Sequence, residues 1–144
     1  MFVGSDRAAP RVTRDELWAM TPDVLKETLP FVPWKIERLW ALELPVRHIA
    51  VQELEWSFDL PLWQLNGERF QVTPRQVRDD PQRFPDHHRR VMASDLAYAI
   101  HLVEHRGRLV VLDGFHRLLK ADIEGRTAID AMVLSHADLD SICV

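Results

Sequence analysis

The sequence predicts a small α+β domain, with a mixed sheet of about four strands, flanking helices and an N-terminal helical segment. Three observations carry that prediction. Short runs rich in β-branched residues, "PVRHIAV", "RLVVLD" and "AIDAMVLS", read as strands. Between and before them lie helix-start signals built from Thr, Pro and acidic residues. The stretch "RLVVLDGFHRLLKADIEG", residues 108–125, then passes from a hydrophobic run through Gly114 into a helical pattern. The chain of 144 residues is about the size of one domain, and at 47% hydrophobic it can form a core without disulfide staples.

Taken in order, residues 1–12 read as a loose tail. Thr13 with Glu16 has the spacing of a capping box, and Thr21-Pro22-Asp23 offers an N-cap followed by proline at the first helical position. Helices are therefore expected over 14–20 and 22–28. "PWKIERLWAL" places Ile36, Leu39 and Trp40 at helical spacing after Pro33. Some 30 helical residues are too few for an independent core, so Trp34 and Trp40 should pack on the sheet domain. The domain division is a helical strap at 1–44 and a main domain at 45–144. The Trp-rich strap also offers a surface for a protein partner or for self-association, because large aromatics are enriched at interfaces.

From Pro45 the texture changes to the first strand. "ELEWSFDLPLWQLNGERFQVTP" reads as irregular, with Asn66-Gly67 forming a tight turn. Thr73-Pro74 opens a short helix that ends near Pro81. "PDHHRRVMASDL" follows as a helix that turns Val91, Met92 and Leu96 to the core. "YAIHLV" and "RLVVLD" are strands joined by "EHRG". Val110, Val111 and Leu112 form an unbroken apolar run, which suits a central strand covered on both faces. A helix spans 115–124, with Gly125 just past its end where glycine commonly stops helices. A last strand and a short C-terminal segment close the chain.

Charge and composition exclude several functions. The net charge of −4 lacks the basic footprint of a general nucleic-acid binder. No apolar run approaches the roughly 20 residues of a membrane span, and the N-terminus lacks the pattern of a signal peptide. The lone cysteine, Cys143, can form no internal bridge. Cytoplasmic location is the expectation, with no membrane partner. The seven histidines show no metal-ligand spacing, so no metal is expected through a direct ligand motif.

The junction at 113–117 is the most informative stretch. A helix N-terminus presents unpaired amides and the positive end of the helix dipole, so it attracts anions, phosphate above all. Gly114 lets the backbone turn sharply there and leaves room for a bound group to approach closely. Arg117, one turn into the helix, offers forked donors that match phosphate oxygens, and His116 adds another. Asp113 either caps the helix or helps to place a magnesium ion that accompanies phosphates.

Residues 45–134 resemble the ParB/sulfiredoxin superfamily. The resemblance runs through "LPVRHIAV", a helix before "YAIHLV", then "VVLDGFHRLLKADIEG" and a closing strand. In that superfamily a Gly-x-x-Arg turn binds nucleotide phosphates, in forms such as Gly-Glu-Arg-Arg, Gly-Cys-His-Arg and Asp-Gly-His-His-Arg. Gly114, Phe115, His116 and Arg117 hold those places here. The resemblance implies a nucleotide ligand, ATP, ADP or CTP with magnesium, bound at Asp113, Gly114, Phe115, His116 and Arg117. It adds polar residues of the preceding helix, His88, Arg89, Arg90 and Ser94.

Departures from the pattern narrow the function. Phe115 stands where sulfiredoxin has its cysteine, which excludes sulfinic-acid repair. The regions through which ParB partition proteins bind DNA and dimerise find no counterpart before Val144, so a DNA-partition role is disfavoured. The Asp-Gly-His-His-Arg form resembles the free serine kinases of the superfamily, again apart from Phe115. Nucleotide hydrolysis or phosphoryl transfer needs an oriented nucleophile and charge neutralisation, for which Glu53 and Asp95 are the candidate carboxylates. The alternative is a regulatory or protein-interaction module that keeps the fold without catalysis. Lys120, one turn beyond His116, is a further phosphate candidate, and a solvated lysine otherwise.

Overall fold

The computed structural model describes residues 12–30 and 32–144. The chain is a mixed α+β domain. Three short helices lead: α1 (Arg14–Met20), α2 (Asp23–Thr28) and α3 (Ile36–Trp40). The Thr13–Glu16 capping box that opens α1 forms in both directions. The Thr21 cap expected for the second helix does not. Thr21 instead turns its hydroxyl back to the Leu17 carbonyl at the end of α1, and α2 starts after Pro22 with no side-chain cap. The expected tail, residues 1–12, lies outside the described residues apart from Val12.

The main sheet has four strands in the order β1 (Val46–Ala50), β6 (Ala128–Leu134), β4 (Ile100–His105), β5 (Arg108–Asp113). β1 and β5 run antiparallel to their neighbours, and β4 and β6 run parallel, Ile100 opposite Ala131. A parallel pair needs a crossover. Here it is the β4–β5 hairpin followed by α6 (Phe115–Ile123). α7 (His136–Ile142), opened by a Ser135–Asp138 capping box, completes the chain.

Val110, Val111 and Leu112 are buried, as their apolar run predicts. The strand that carries them is an edge strand, not a central one. Its position follows from the hairpin: β5 folds back on β4 through Arg106-Gly107, while the crossover places β6 on the other side of β4.

The segment between β1 and β4 is more ordered than its sequence suggests. Two 3-10 turns, Val51–Glu53 and Glu55–Asp59, lead to a small hairpin of β2 (Trp63–Leu65) and β3 (Glu68–Val72). Asn66 and Gly67 make its turn with φ of +52° and +83°. α4 (Pro74–Asp79) carries the Thr73–Gln76 capping box, and α5 (Pro85–Ala93) follows. Val91 faces the core from α5. Met92 does not: one residue from Val91 is about 100° around a helix, which turns Met92 outward. Leu96 lies beyond the end of α5 and is partly buried.

One contiguous core joins the leading helices to the sheet, including Leu17, Leu25, Leu29, Trp34 and Leu39 with Ile100, Leu102, Leu118 and Leu134. The C-terminal end is stitched to the strap. Trp34 pairs with Cys143, Lys35 N–H donates to Ile142 O at 3.1 Å, and Val144 N–H donates to Pro33 O at 3.0 Å. Trp34 is buried, as expected. Trp40 corrects the companion expectation: it is 64% exposed, because Leu39 takes the inward position at the end of α3. No helix among the described residues is long and apolar enough to cross a membrane.

Candidate functional site at the start of α6

β5 delivers Asp113 to the end of its run, and the chain then turns at Gly114 with φ +119°. Space as well as torsion requires glycine there. A Cβ at this position would stand 2.4 Å from Ile100 Cγ2 and 2.7 Å from Ile100 Cβ. The junction is thus pressed onto the first residue of β4. Gly114 is the N-cap of α6, and no side chain caps the helix. The first intrahelical bond runs from Leu118 N–H to Gly114 O at 2.9 Å, so the amides of Phe115, His116 and Arg117 precede it.

Asp113 does not cap the helix, contrary to the simpler of its two expected roles. Its Oδ2 instead gathers three groups from three parts of the chain. Arg117 Nη2 donates to it at 2.9 Å, Trp40 Nε1 at 3.2 Å, and His101 Nδ1 lies 3.7 Å away. Burial pushes the Asp113 carboxyl up. His101, Arg117 and Trp40 together outweigh that effect and hold it below the usual carboxylate range.

Arg117 is engaged on its other arm as well. Its Nη1 donates to Ala99 O at 2.9 Å and to Tyr98 O at 3.2 Å, which ties the loop before β4 to the helix start. The expectation of a guanidinium reaching into an open site is therefore replaced by an internal clamp. Its side chain is 16% exposed and that of Asp113 24%.

His116 is packed rather than projecting. It stacks on the Trp63 indole with centroids 4.7 Å apart, and His87 stacks on the same indole at 5.4 Å. Trp63 comes from the β2–β3 hairpin, His87 from α5 and His116 from α6, so this stack joins three elements. His87 Nε2 donates to Gln64 O at 2.7 Å, which ties the hairpin to α5. His116 Nε2 and His87 Nδ1 are buried with no hydrogen-bond partner among the described residues. Burial lowers the His116 pKa to about 4, reinforced by the neighbouring His87 and by the charges of Arg90 and Arg117 and partly opposed by Asp113, so the imidazole is neutral at pH 7.

The structure thus brings Asp113, Gly114, Phe115, His116 and Arg117 together, with Arg90 close enough to act on His116 electrostatically. Phe115 is partly buried against the core. The other candidates have their own partners. Arg89 forms an exposed pair with Asp86 at 2.8 Å, and the Ser94 hydroxyl donates to Val91 O at 2.6 Å. His88 is half-buried on α5, and Glu53 is exposed on the first 3-10 turn. Asp95 accepts from Ala97 N–H at 2.9 Å and lines an open polar cleft of about 370 Å³ with Lys120, Glu124 and Arg126. Lys120 itself donates to Ser94 O at 2.7 Å.

Sequence reasoning missed Trp63, His87, Trp40 and His101 as parts of this neighbourhood. The apolar-polar alternation on both sides of Asn66-Gly67 was the available signal for the hairpin that carries Trp63. Nothing local in the sequence marks the long-range contacts of Trp40 and His101. Among the described residues, no group of three or more His, Cys, Asp or Glu side chains is arranged to hold a metal ion. No family model, curated protein or solved structure matches the chain.

Proposed function

We propose that the start of α6 binds the phosphates of a nucleotide, with ATP, ADP and CTP as candidate ligands, in a domain of ParB/sulfiredoxin-like type. The observation that carries this reading is the uncapped beginning of α6, where the left-handed Gly114 turn leaves the amides of Phe115, His116 and Arg117 ahead of the first intrahelical bond. Backbone donors at the positive end of a helix suit phosphate oxygens without further charge. The side chains take supporting roles. Arg117 offsets the Asp113 carboxylate beside the site and holds the Tyr98–Ala99 loop, while His116 packs the helix start against Trp63.

Asp113 is a poor fit for magnesium. Its Oδ2 is already the shared acceptor of Arg117 and Trp40, and a dication there would have to displace or repel the guanidinium. Asp113 therefore serves as the acceptor for Arg117, and no step is routed through a metal at that residue.

Binding without turnover is the reading we favour over hydrolysis or phosphoryl transfer. Of the candidate carboxylates, Asp113 is locked, Asp95 is bonded to its own loop, and Glu53 is an exposed turn residue. This arrangement also supports the regulatory-module alternative, with the strap as a partner-facing element and a cytoplasmic setting. The test is a titration of the ¹⁵N-labelled protein with ATP, ADP and CTP, each with and without magnesium, read by backbone amide shifts. Saturable shifts centred on 115–117 are expected. No binding, or shifts centred on the Asp95–Arg126 cleft, would overturn the assignment.

A further inference from the structure

We propose that Trp40 is the stacking platform for the base of the nucleotide whose phosphates the start of α6 holds; this rests on the phosphate reading above. Trp40 combines two features. Its indole is largely open to solvent, yet it is fixed in place. Nε1–H donates to Asp113 Oδ2, 73 positions along the chain and directly beside the Gly114 turn. That carboxylate is itself held by Arg117 and faced by the His101 imidazole, which is nine-tenths buried.

The helix that presents the indole is equally constrained. Leu39, the residue before it, is fully buried. Arg38 Nη1 donates to Cys143 O at 2.6 Å, and Lys35 N–H donates to Ile142 O at 3.1 Å. Isolated exposed apolar residues are ordinary and call for no explanation. A pinned indole differs from them, because a planar ligand can stack on it without the entropic cost of ordering the side chain. Aromatic platforms beside phosphate-binding elements are how proteins hold bases, since every base has a π-face. The hydrogen bond to Asp113 sets the indole edge next to the turn that leads into the phosphate-binding amides. The proposed ligand spans both, with its base on the strap and its phosphates on the main domain.

The experiment compares ATP with inorganic tripolyphosphate on the full chain, using the wild type, Trp40→Phe and Trp40→Leu, by calorimetric titration. The wild type should bind ATP roughly fivefold to a hundredfold more tightly than tripolyphosphate, the range for one stacked base. Trp40→Leu should bring ATP to the tripolyphosphate level and leave tripolyphosphate itself unchanged. Trp40→Phe, which keeps a ring but loses the bond to Asp113 that fixes it, should retain only part of the difference. Equal binding of ATP and tripolyphosphate by the wild type would overturn the platform and leave the phosphate site standing. Equal weakening of both ligands in Trp40→Leu would also overturn it, because Trp40 would then act only through Asp113. Failure of both ligands to bind the wild type would remove the phosphate site and the platform together. A wild-type dimer that Trp40→Leu dissociates in sedimentation would show the indole to be a self-association surface instead.

Discussion

Replacing Arg117 with methionine removes the clamp at the start of α6 while keeping most of the side-chain volume. Three hydrogen bonds disappear: two to the Ala99 and Tyr98 carbonyls and one to Asp113. Breaking a buried ion pair by deleting one partner costs about 3–5 kcal/mol, because the remaining charge is left without compensation. Asp113 keeps the Trp40 donor and retains some solvent contact, which moves the ion-pair loss to the low end of that range or below. The two carbonyls add about 1 kcal/mol between them, since solvent reaches part of this loop. A net loss of about 3 kcal/mol is expected, out of the 5–15 kcal/mol typical of a domain.

The assay is urea unfolding of the apo protein, with Asp113→Asn and the double variant completing a cycle. A coupling of at least about 1 kcal/mol between the two sites is expected, as for residues in one network. The midpoint should fall without a change in slope, which marks lost stability rather than a changed unfolded state. A loss below about 1 kcal/mol with no coupling would refute the clamp and return Arg117 to the status of a free surface charge.

Two further outcomes follow from the same junction. Gly114→Ala should destabilise by at least about 2 kcal/mol, combining overpacking against Ile100 with a left-handed backbone, and a melting temperature within error of the parent would contradict the close approach. His116 has its folded pKa lowered to about 4 from 6.5, so the unfolded chain takes up the proton first as the pH falls. Its contribution should be complete above about pH 6.5 and decline towards pH 4 by about 3 kcal/mol, whereas the Asp113 contribution fades only below the usual carboxylate range. Urea unfolding between about pH 7 and pH 4.5 should show a shallower slope for His116→Gln than for the parent, and identical slopes would exclude His116 as the source.

What the sequence made legible was local. The Thr13–Glu16 capping box announced α1, because a hydroxyl and a Glu three residues later satisfy each other's backbone partners, and Thr73 followed by Pro74 announced α4. The β4–β5 hairpin and the α6 start were readable from turn residues set between apolar runs. The β2–β3 hairpin was not, despite its Asn66-Gly67 turn. Its strands are short, β2 having three residues, so the alternation on each side of the turn covers too few positions to stand out. α7 was missed although Ser135 and Asp138 share three-residue spacing, because Asp in place of Glu or Gln makes the capping signal less distinctive.

The junction shows where residue types cease to be informative. Gly114 was expected to leave room for a ligand, and its Cβ position is filled by Ile100, so helix-to-strand packing alone would demand glycine there. Arg117 was expected to face phosphate, and its guanidinium instead bridges Asp113 and the Tyr98–Ala99 loop. Both residues are compatible with a phosphate-binding turn and with a purely architectural one, since each chemistry uses the same donors at the same spacing. What separates the two is the treatment of the remaining groups. A purely architectural turn gains from an N-cap side chain, worth about 1 kcal/mol to a helix, and from turning its aromatics inward. Here Asp113, adjacent to the cap position, turns away from the α6 amides to hold Arg117 and Trp40, and Trp40 remains open to solvent at the same end of the helix. Ile100 alone bars a cap side chain at Gly114, so of the two features only the open Trp40 indole supports the ligand reading proposed above.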